Sequence, residues 1–246
     1  AARASADGYT IIAGHVGTNA LAGAFYPSLA YDAEKDFEPI GLVAEQPELL
    51  AVRKDFPANN LKEFVAYAKA NESKLNMAHA GVGSVSYIGC LLLNAAIGIK
   101  PTMVPFTGTA PAMNAMIAGQ VDYDCDPILG PLPQVRAGNV KALAIAAKNR
   151  HPLLPEVPTS AEQGLPQFEF APFYAVFAPK GTPKPVIDKL VEALNKGLDE
   201  EAVQKRLGDL GAEIASKDRR GPKALADLVH SEITRLTPIL KAASAK

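Results

Sequence analysis

Cysteine is nearly absent from the 246 residues: Cys90 and Cys125 are the only two, too few for a disulfide framework or a zinc site. They read as buried thiols, with a single disulfide or a nucleophile as the alternatives. Histidine is sparse as well. His15, His79, His151 and His230 stand apart, none with a partner at metal-ligand spacing, so no metal is expected. Net charge is lacking: 25 basic and 26 acidic side chains are mixed along the chain, which leaves no basic face for nucleic acid. No apolar run approaches the ~20 residues that span a bilayer. The opening "AARASADGYT" has neither a basic nor an apolar segment, so no leader peptide is visible, and a removed leader would look the same. Phosphate and catalytic signatures are missing too. There is no G-x-x-x-x-G-K-[ST] run, and Gly81-Val82-Gly83-Ser84-Val85-Ser86 matches only the first two glycines of the dinucleotide fingerprint. Ser84 lacks the G-x-S-x-G elbow of a nucleophile.

What is present is an ordinary globular composition, 48% hydrophobic and 21% charged, long enough for one large domain or two lobes of roughly 100–150 residues. Seven runs read as strands: Tyr9–Gly14, Glu48–Arg53, Leu75–Ala80, Thr102–Phe106, Val121–Cys125, Val140–Ala147 and Phe173–Pro179. Helices lie between them. Asn60 with Glu63 makes a capping box, followed by Leu61, Phe64, Val65 and Ala68 on one face. Thr182 and Pro183 start another helix, with Val186, Ile187, Leu190 and Leu194 as its expected buried stripe. Gly211 reads as a helix stop, and a last helix near Pro222–Ala243 is expected to kink at Pro238. This alternation predicts an α/β fold with mostly parallel sheets covered on both faces, and ligands at the carboxyl ends of strands.

Two loops share one construction. "LNMAHA" feeds Gly81-Val82-Gly83-Ser84 and then a helix; "TMVPF" feeds Thr107-Gly108-Thr109-Ala110 and then another. The first N–H groups of a helix have no internal partner and favour an anion. From Leu75 to Val135 the only Lys or Arg is Lys100, so a carboxylate suits these neutral donors better than a polyphosphate. Asp122, Asp124 and Asp126 share one strand face, which reads as a solvent-facing strand edge. Asp126, at the strand end, could instead line the cleft or hold loop N–H groups. The anion reads as held, not transformed.

"DGYTIIAG", "YDAEKDFEPIGLVA", "AGVGS", "VPFTGTAPAMNAMIAGQVDYDCD", "VKALAIAAKNRHPLLPEVPTSAEQGLP" and "FAPKGTPKPVIDKL" together resemble the extracytoplasmic solute-binding proteins of tripartite tricarboxylate transporters, the Bug family. The resemblance implies a two-lobed α/β fold of periplasmic-binding-protein type II. It also implies a small mono- or dicarboxylate ligand between the lobes, a periplasmic location, membrane transporter subunits as partners, and neither cofactor nor catalysis. The expected ligand-binding residues are Gly83, Ser84, Tyr87, Gly108, Thr109, Ala110 and Asp126 from lobe two, with Gly17, Thr18 and Asn19 from lobe one. Tyr87 stands where the family commonly has His, Thr107 where Lys is usual, Asn114 where Asp is, and Phe173 where Trp often sits. Tyr87 thus raises the expectation of an aromatic or apolar-bodied carboxylate.

Lobe one is expected at 1–52 and 173–246 and lobe two at 53–172, hinged near Leu50–Lys54 and Phe173–Phe177, in a monomer. The family pattern also places two strand–helix units, with a further ligand loop, ahead of the residue numbered Ala1. The functional protein is therefore expected to be longer at its amino end, with a signal peptide. Other functions stay in play: an enzyme acting on a carboxylated metabolite, with His15 or Cys125 as candidate groups, or a ligand-sensing effector domain of the same fold.

Overall fold

The computed structural model of the chain describes residues 1–244. In chain order the elements begin with β1 (Ile12–His15), a π-helical turn (Gly17–Leu21), α1 (Ala22–Phe25), β2 (Phe37–Glu45) and β3 (Glu48–Arg53). They continue with α2 (Leu61–Ala70), β4 (Asn76–His79), α3 (Val85–Ile97), β5 (Thr102–Pro105), α4 (Thr109–Ile117), β6 (Tyr123–Pro127), α5 (Leu132–Arg136) and β7 (Val140–Ile145). Last come β8 (Phe173–Pro179), α6 (Lys184–Asp199), α7 (Glu201–Asp209), β9 (Glu213–Ile214) and α8 (Pro222–Ser244).

The chain forms two compact units, Ala1–Glu45 with Pro172–Pro238, and Gln46–Ala171 with the residues from Ile239 onward. The joints lie a few residues ahead of the Leu50–Lys54 and Phe173–Phe177 segments. Both of those segments fall largely inside strands: β3 pairs along its length with β6 and β7, and β8 with β2. The end of α8, counted with the first lobe in the sequence reading, groups with the second unit.

The second unit is a five-stranded sheet in the order β5-β4-β6-β3-β7. Its β5, β4 and β6 run parallel, while β3 runs antiparallel to both β6 and β7. The first unit's sheet has the order β1-β8-β2-β9, and every pair in it is antiparallel. The expectation of mostly parallel sheets is therefore corrected: only β5-β4-β6 is parallel. Alternation implies parallel strands when a covering helix returns the chain to the same sheet. Neither β3 nor β8 follows such a helix, and each inserts between two strands that run the opposite way.

The second unit's core explains its register. Phe56, Phe64 and Tyr123 meet edge-on or tilted under α2, with centroids 5.6 Å apart for Phe56–Phe64 and 5.1 Å for Phe64–Tyr123. On the α4 side, Ala51, Ala78, Ala112, Met113 and Met116 pack together. Small alanines on the sheet let the helix approach closely, and the methionines fill what remains. The α2 cap follows the sequence reading: the Asn60 side chain accepts the Glu63 N–H at 2.9 Å, and the Glu63 carboxylate accepts the Asn59 N–H at 2.8 Å. In the first unit, Val186, Ile187, Leu190 and Leu194 of α6 are only half-buried, and Leu198 is the residue of that face that is enclosed. This corrects the expected buried stripe.

Candidate functional site

The loops after β4 and β5 lie side by side, because these strands are parallel neighbours with His79 opposite Pro105. The Phe106 N–H donates to the His79 carbonyl at 2.9 Å, tying the roots of the two loops. In the first loop Gly81 and Gly83 take φ of 106° and 77°, values that L side chains rarely adopt. Ser84 then caps α3: its hydroxyl oxygen accepts the Tyr87 N–H at 3.1 Å. Ser86 accepts the Ala80 N–H at 3.0 Å and lies 3.2 Å from the Ser84 hydroxyl. The His79 Nδ1 accepts the Gly81 N–H at 3.2 Å, so in its neutral form the ring proton is on Nε2. In the second loop Gly108 is the cap residue and Thr109 the first residue of α4; Ala110 is exposed. Tyr87, expected as a stacking surface for ligand, is instead only 5% exposed and lies 4.8 Å from the His79 ring. Lys100 precedes β5, at the other end of the strand from its loop.

Behind the loops is a cluster of acids. Asp124 and Asp126 are 1% and 3% exposed, which overturns their reading as a solvent-facing edge. The reason is topological: β6 lies between β4 and β3, inside the sheet. Asp122 alone is partly exposed and is committed to Arg53 at 3.0 Å and to the Asn76 N–H at 2.8 Å. Glu48 of β3 joins the buried pair. Both its carboxyl oxygens, and one oxygen each of Asp124 and Asp126, lack a hydrogen-bond partner. Burial holds Glu48 and Asp124 well above the usual carboxylate range, reinforced for Glu48 by Cys90, Asp126 and Asp124 and for Asp124 by Asp126. Burial also raises Asp126, to about 7, against a lowering hydrogen bond from Thr109. Gly130 lies against both the free Asp126 oxygen and the Thr109 methyl, since a Cβ there would come within 2.8 Å of each. Cys90 and Cys125 are buried free thiols, and the Cys125 N–H donates to the Cys90 sulfur at 3.0 Å. Burial pushes the Cys125 thiol up to about 11, so it is an unreactive thiol at neutral pH.

The structure therefore brings Gly83, Ser84, Gly108, Thr109, Ala110 and Asp126 to the carboxyl edge of three parallel strands. Gly17, Thr18 and Asn19 form a separate turn in the first unit. There the Gly17 N–H donates to the His15 Nδ1 at 3.0 Å, and Thr18 bonds the His15 backbone and, at 2.8 Å, the Asn19 side chain. Asn19 is 1% exposed, and its amide nitrogen has no partner. Both units thus use one device, a histidine at a strand end that accepts the N–H of a glycine two residues on. In the sequence this device shows as a repeated His-x-Gly, His15-Val16-Gly17 and His79-Ala80-Gly81. Glu48 was not legible in the sequence.

Two hollows lie elsewhere. One, of about 470 Å³, is lined by Leu91, Ala95, Ile99, Met103 and the end of α8 around Ile239. It sits at the carboxyl end of α3, roughly 20 Å along that helix from the Ser84 loop, and Asn94, Lys100 and Ser244 join its mainly apolar walls. The other, of about 330 Å³, belongs to the first unit and includes Arg3, Thr18, Asn19 and Tyr31.

Comparison with known proteins is consistent across sequence and fold. Residues 1–244 match the tripartite tricarboxylate transporter family receptor. The chain superimposes on MatC of Rhodopseudomonas palustris with bound malate, 48% identical, covering 97% of this chain and 81% of that one, with a TM-score of 0.91. The periplasmic binding protein BugD is 39% identical over 100% of this chain and 81% of its own, with a TM-score of 0.90. R. palustris Rpa4515 with adipate is 30% identical over 98% of this chain and 80% of its own, also with a TM-score of 0.90.

Proposed function

The chain belongs to the tripartite tricarboxylate transporter receptor family, and on that premise we propose that it is a periplasmic receptor that captures a small aliphatic dicarboxylate for a membrane transporter. One observation carries the assignment. Two N–H- and hydroxyl-rich helix starts adjoin on β4 and β5, and the only Lys or Arg between Leu75 and Val135 is Lys100, at the far end of β5. Neutral donors of that kind hold a carboxylate without a counter-ion. MatC with malate and Rpa4515 with adipate support the dicarboxylate class. The burial of Tyr87 favours an aliphatic ligand over the aromatic one raised by the sequence. The Gly17–Asn19 turn carries the same donor types and is assigned a supporting role.

Calorimetry with malate and adipate tests the reading. Micromolar binding, about −8 kcal/mol, is within reach of a handful of charge-assisted hydrogen bonds. Ser84→Ala and Thr109→Val are each expected to weaken binding by about 1–2 kcal/mol, the scale of a lost hydrogen bond. Thr18→Val is expected to weaken it as well. Unchanged affinity in both Ser84→Ala and Thr109→Val removes the two loops from the site. Recovery of the acid chemically unchanged after incubation separates a receptor from an enzyme.

A further inference from the structure

We propose that Asp126 is a positioning residue that couples carboxylate capture to the uptake of one proton, by donating its carboxyl hydrogen to Thr109 and so freeing the Thr109 hydroxyl to donate to the ligand. The inference rests on the reading that Thr109 touches the carboxylate.

The geometry sets up two exclusive states. A threonine hydroxyl has one hydrogen to give. When Asp126 is ionised it can only accept, so the Thr109 hydrogen is committed to it and the hydroxyl offers a ligand anion lone pairs alone. When Asp126 is protonated, its own hydrogen goes to the Thr109 oxygen and the threonine hydrogen turns outward. The proton comes from solvent on capture and returns to it on release. Burial at 3% exposure, with the free oxygen enclosed beside Gly130, keeps water from competing for either role.

Asp126 is the carboxyl of this cluster that is hydrogen-bonded to Thr109. The titratable neighbours are Glu48 on β3, Asp124 and Cys125 on β6, Cys90 on α3 and His79 at the end of β4, with no lysine or arginine paired to the cluster among the described residues. Burial pushes Glu48, Asp124 and both thiols upward, toward their neutral forms. His79 is pushed downward by burial and is neutral as well. Asp126, raised to about 7, lies within the working range. A ligand that takes the Thr109 hydrogen leaves Asp126 to donate to the threonine oxygen, so binding favours the protonated acid and, by reciprocity, protonation favours the ligand. Affinity is therefore full below the Asp126 titration and falls as pH rises through it.

The test is calorimetry with malate from pH 6.5 to 8.5, where both malate carboxyls are ionised, in two buffers of different ionisation enthalpy. For the unaltered protein, Kd should rise toward the ~tenfold per pH unit that one linked proton allows, with proton uptake on binding. Asp126→Asn donates to Thr109 at every pH and should bind malate with a flat profile and no uptake. Thr109→Val removes the bond that lowers Asp126, so it should bind more weakly and also lose the slope, whereas Thr109→Ser should keep it. A flat profile in the unaltered protein, or a slope that persists in Asp126→Asn, overturns the proposal. Should that variant fail to fold, a slope persisting in Thr109→Val does the same. Absence of malate and adipate binding at every pH is a different outcome, which removes the carboxylate reading and this inference with it.

Discussion

Glu48 is wholly buried on β3 with neither carboxyl oxygen hydrogen-bonded, and α3 makes room for it. A Cβ at Gly89 would collide with the Glu48 carboxyl, so the helix tolerates a glycine in its interior for the sake of this one side chain. Gly89→Ala is therefore expected to destabilise by about 2–3 kcal/mol through overpacking. Combining it with Glu48→Ala should recover much of that loss, a non-additivity that denaturant unfolding of the two single variants and the pair would reveal. The same carboxyls shape the response to pH. Burial raises Glu48 and Asp124 in the folded chain, so folding takes up protons above the ordinary carboxylate range. Their contribution to stability is complete below the ordinary carboxylate range and is lost as pH rises toward their folded values. Thermal unfolding should thus begin at lower temperature at pH 8 than at pH 5, and Glu48→Gln should flatten that decline. A profile in Glu48→Gln as steep as in the parent would show that the glutamate carries none of it. None of this was legible in "ELLAVR", where a charged residue heading an apolar strand reads as a solvent-exposed end. The trace it leaves is Gly89 itself, an unexplained glycine within an otherwise apolar helix.

At the scale of elements, capping signals were readable because they are local. Asn60, Ser84 and the glycines around them act through partners three residues away. The strand β2 was not readable, although it is the longest strand. It contains Pro39 and Gly41, which argue against a strand, and its pairing with β8 shifts register between Pro39 and Gly41 and again between Leu42 and Ala44. Two shifts of that kind erase the alternation that would mark a half-buried strand. The buried state of Asp124 and Asp126 was unreadable for a related reason, since whether a strand is central or at an edge depends on partners far away in sequence. The two loops were recognised as alike from sequence, but their adjacency rests on β4 and β5 being neighbours. Ser84 and Asn60 offer a controlled comparison. Each accepts one otherwise unpartnered N–H at a helix start, so Asn60→Ala and Ser84→Ala should both cost about 1 kcal/mol of stability. Only Ser84→Ala should also reduce malate affinity. Equal affinity in the two variants would reduce Ser84 to a helix cap.

At the scale of the whole molecule the two units are built differently. All five strands of the second sheet come from the unbroken stretch between Glu48 and Ile145, whereas the first sheet needs residues from both sides of it. A fragment of residues 46–171 is therefore expected to fold by itself, with cooperative unfolding followed by circular dichroism. The complementary piece, 1–45 alone, should show no strand signal. Cooperative structure in 1–45 would contradict the pairing described here. The ordering of strands carries a consequence for how such a chain is made. In the first sheet β1 pairs only with β8, and β2 only with β8 and β9. Synthesis proceeds from the amino end, so β1 and β2 are made before β8 and wait for that pairing until Phe173–Pro179 has been translated. The second sheet has by then had all its strands for some time. Residues 1–45 thus stay without their β8 partner, open to chaperones, while the middle of the chain is already free to fold.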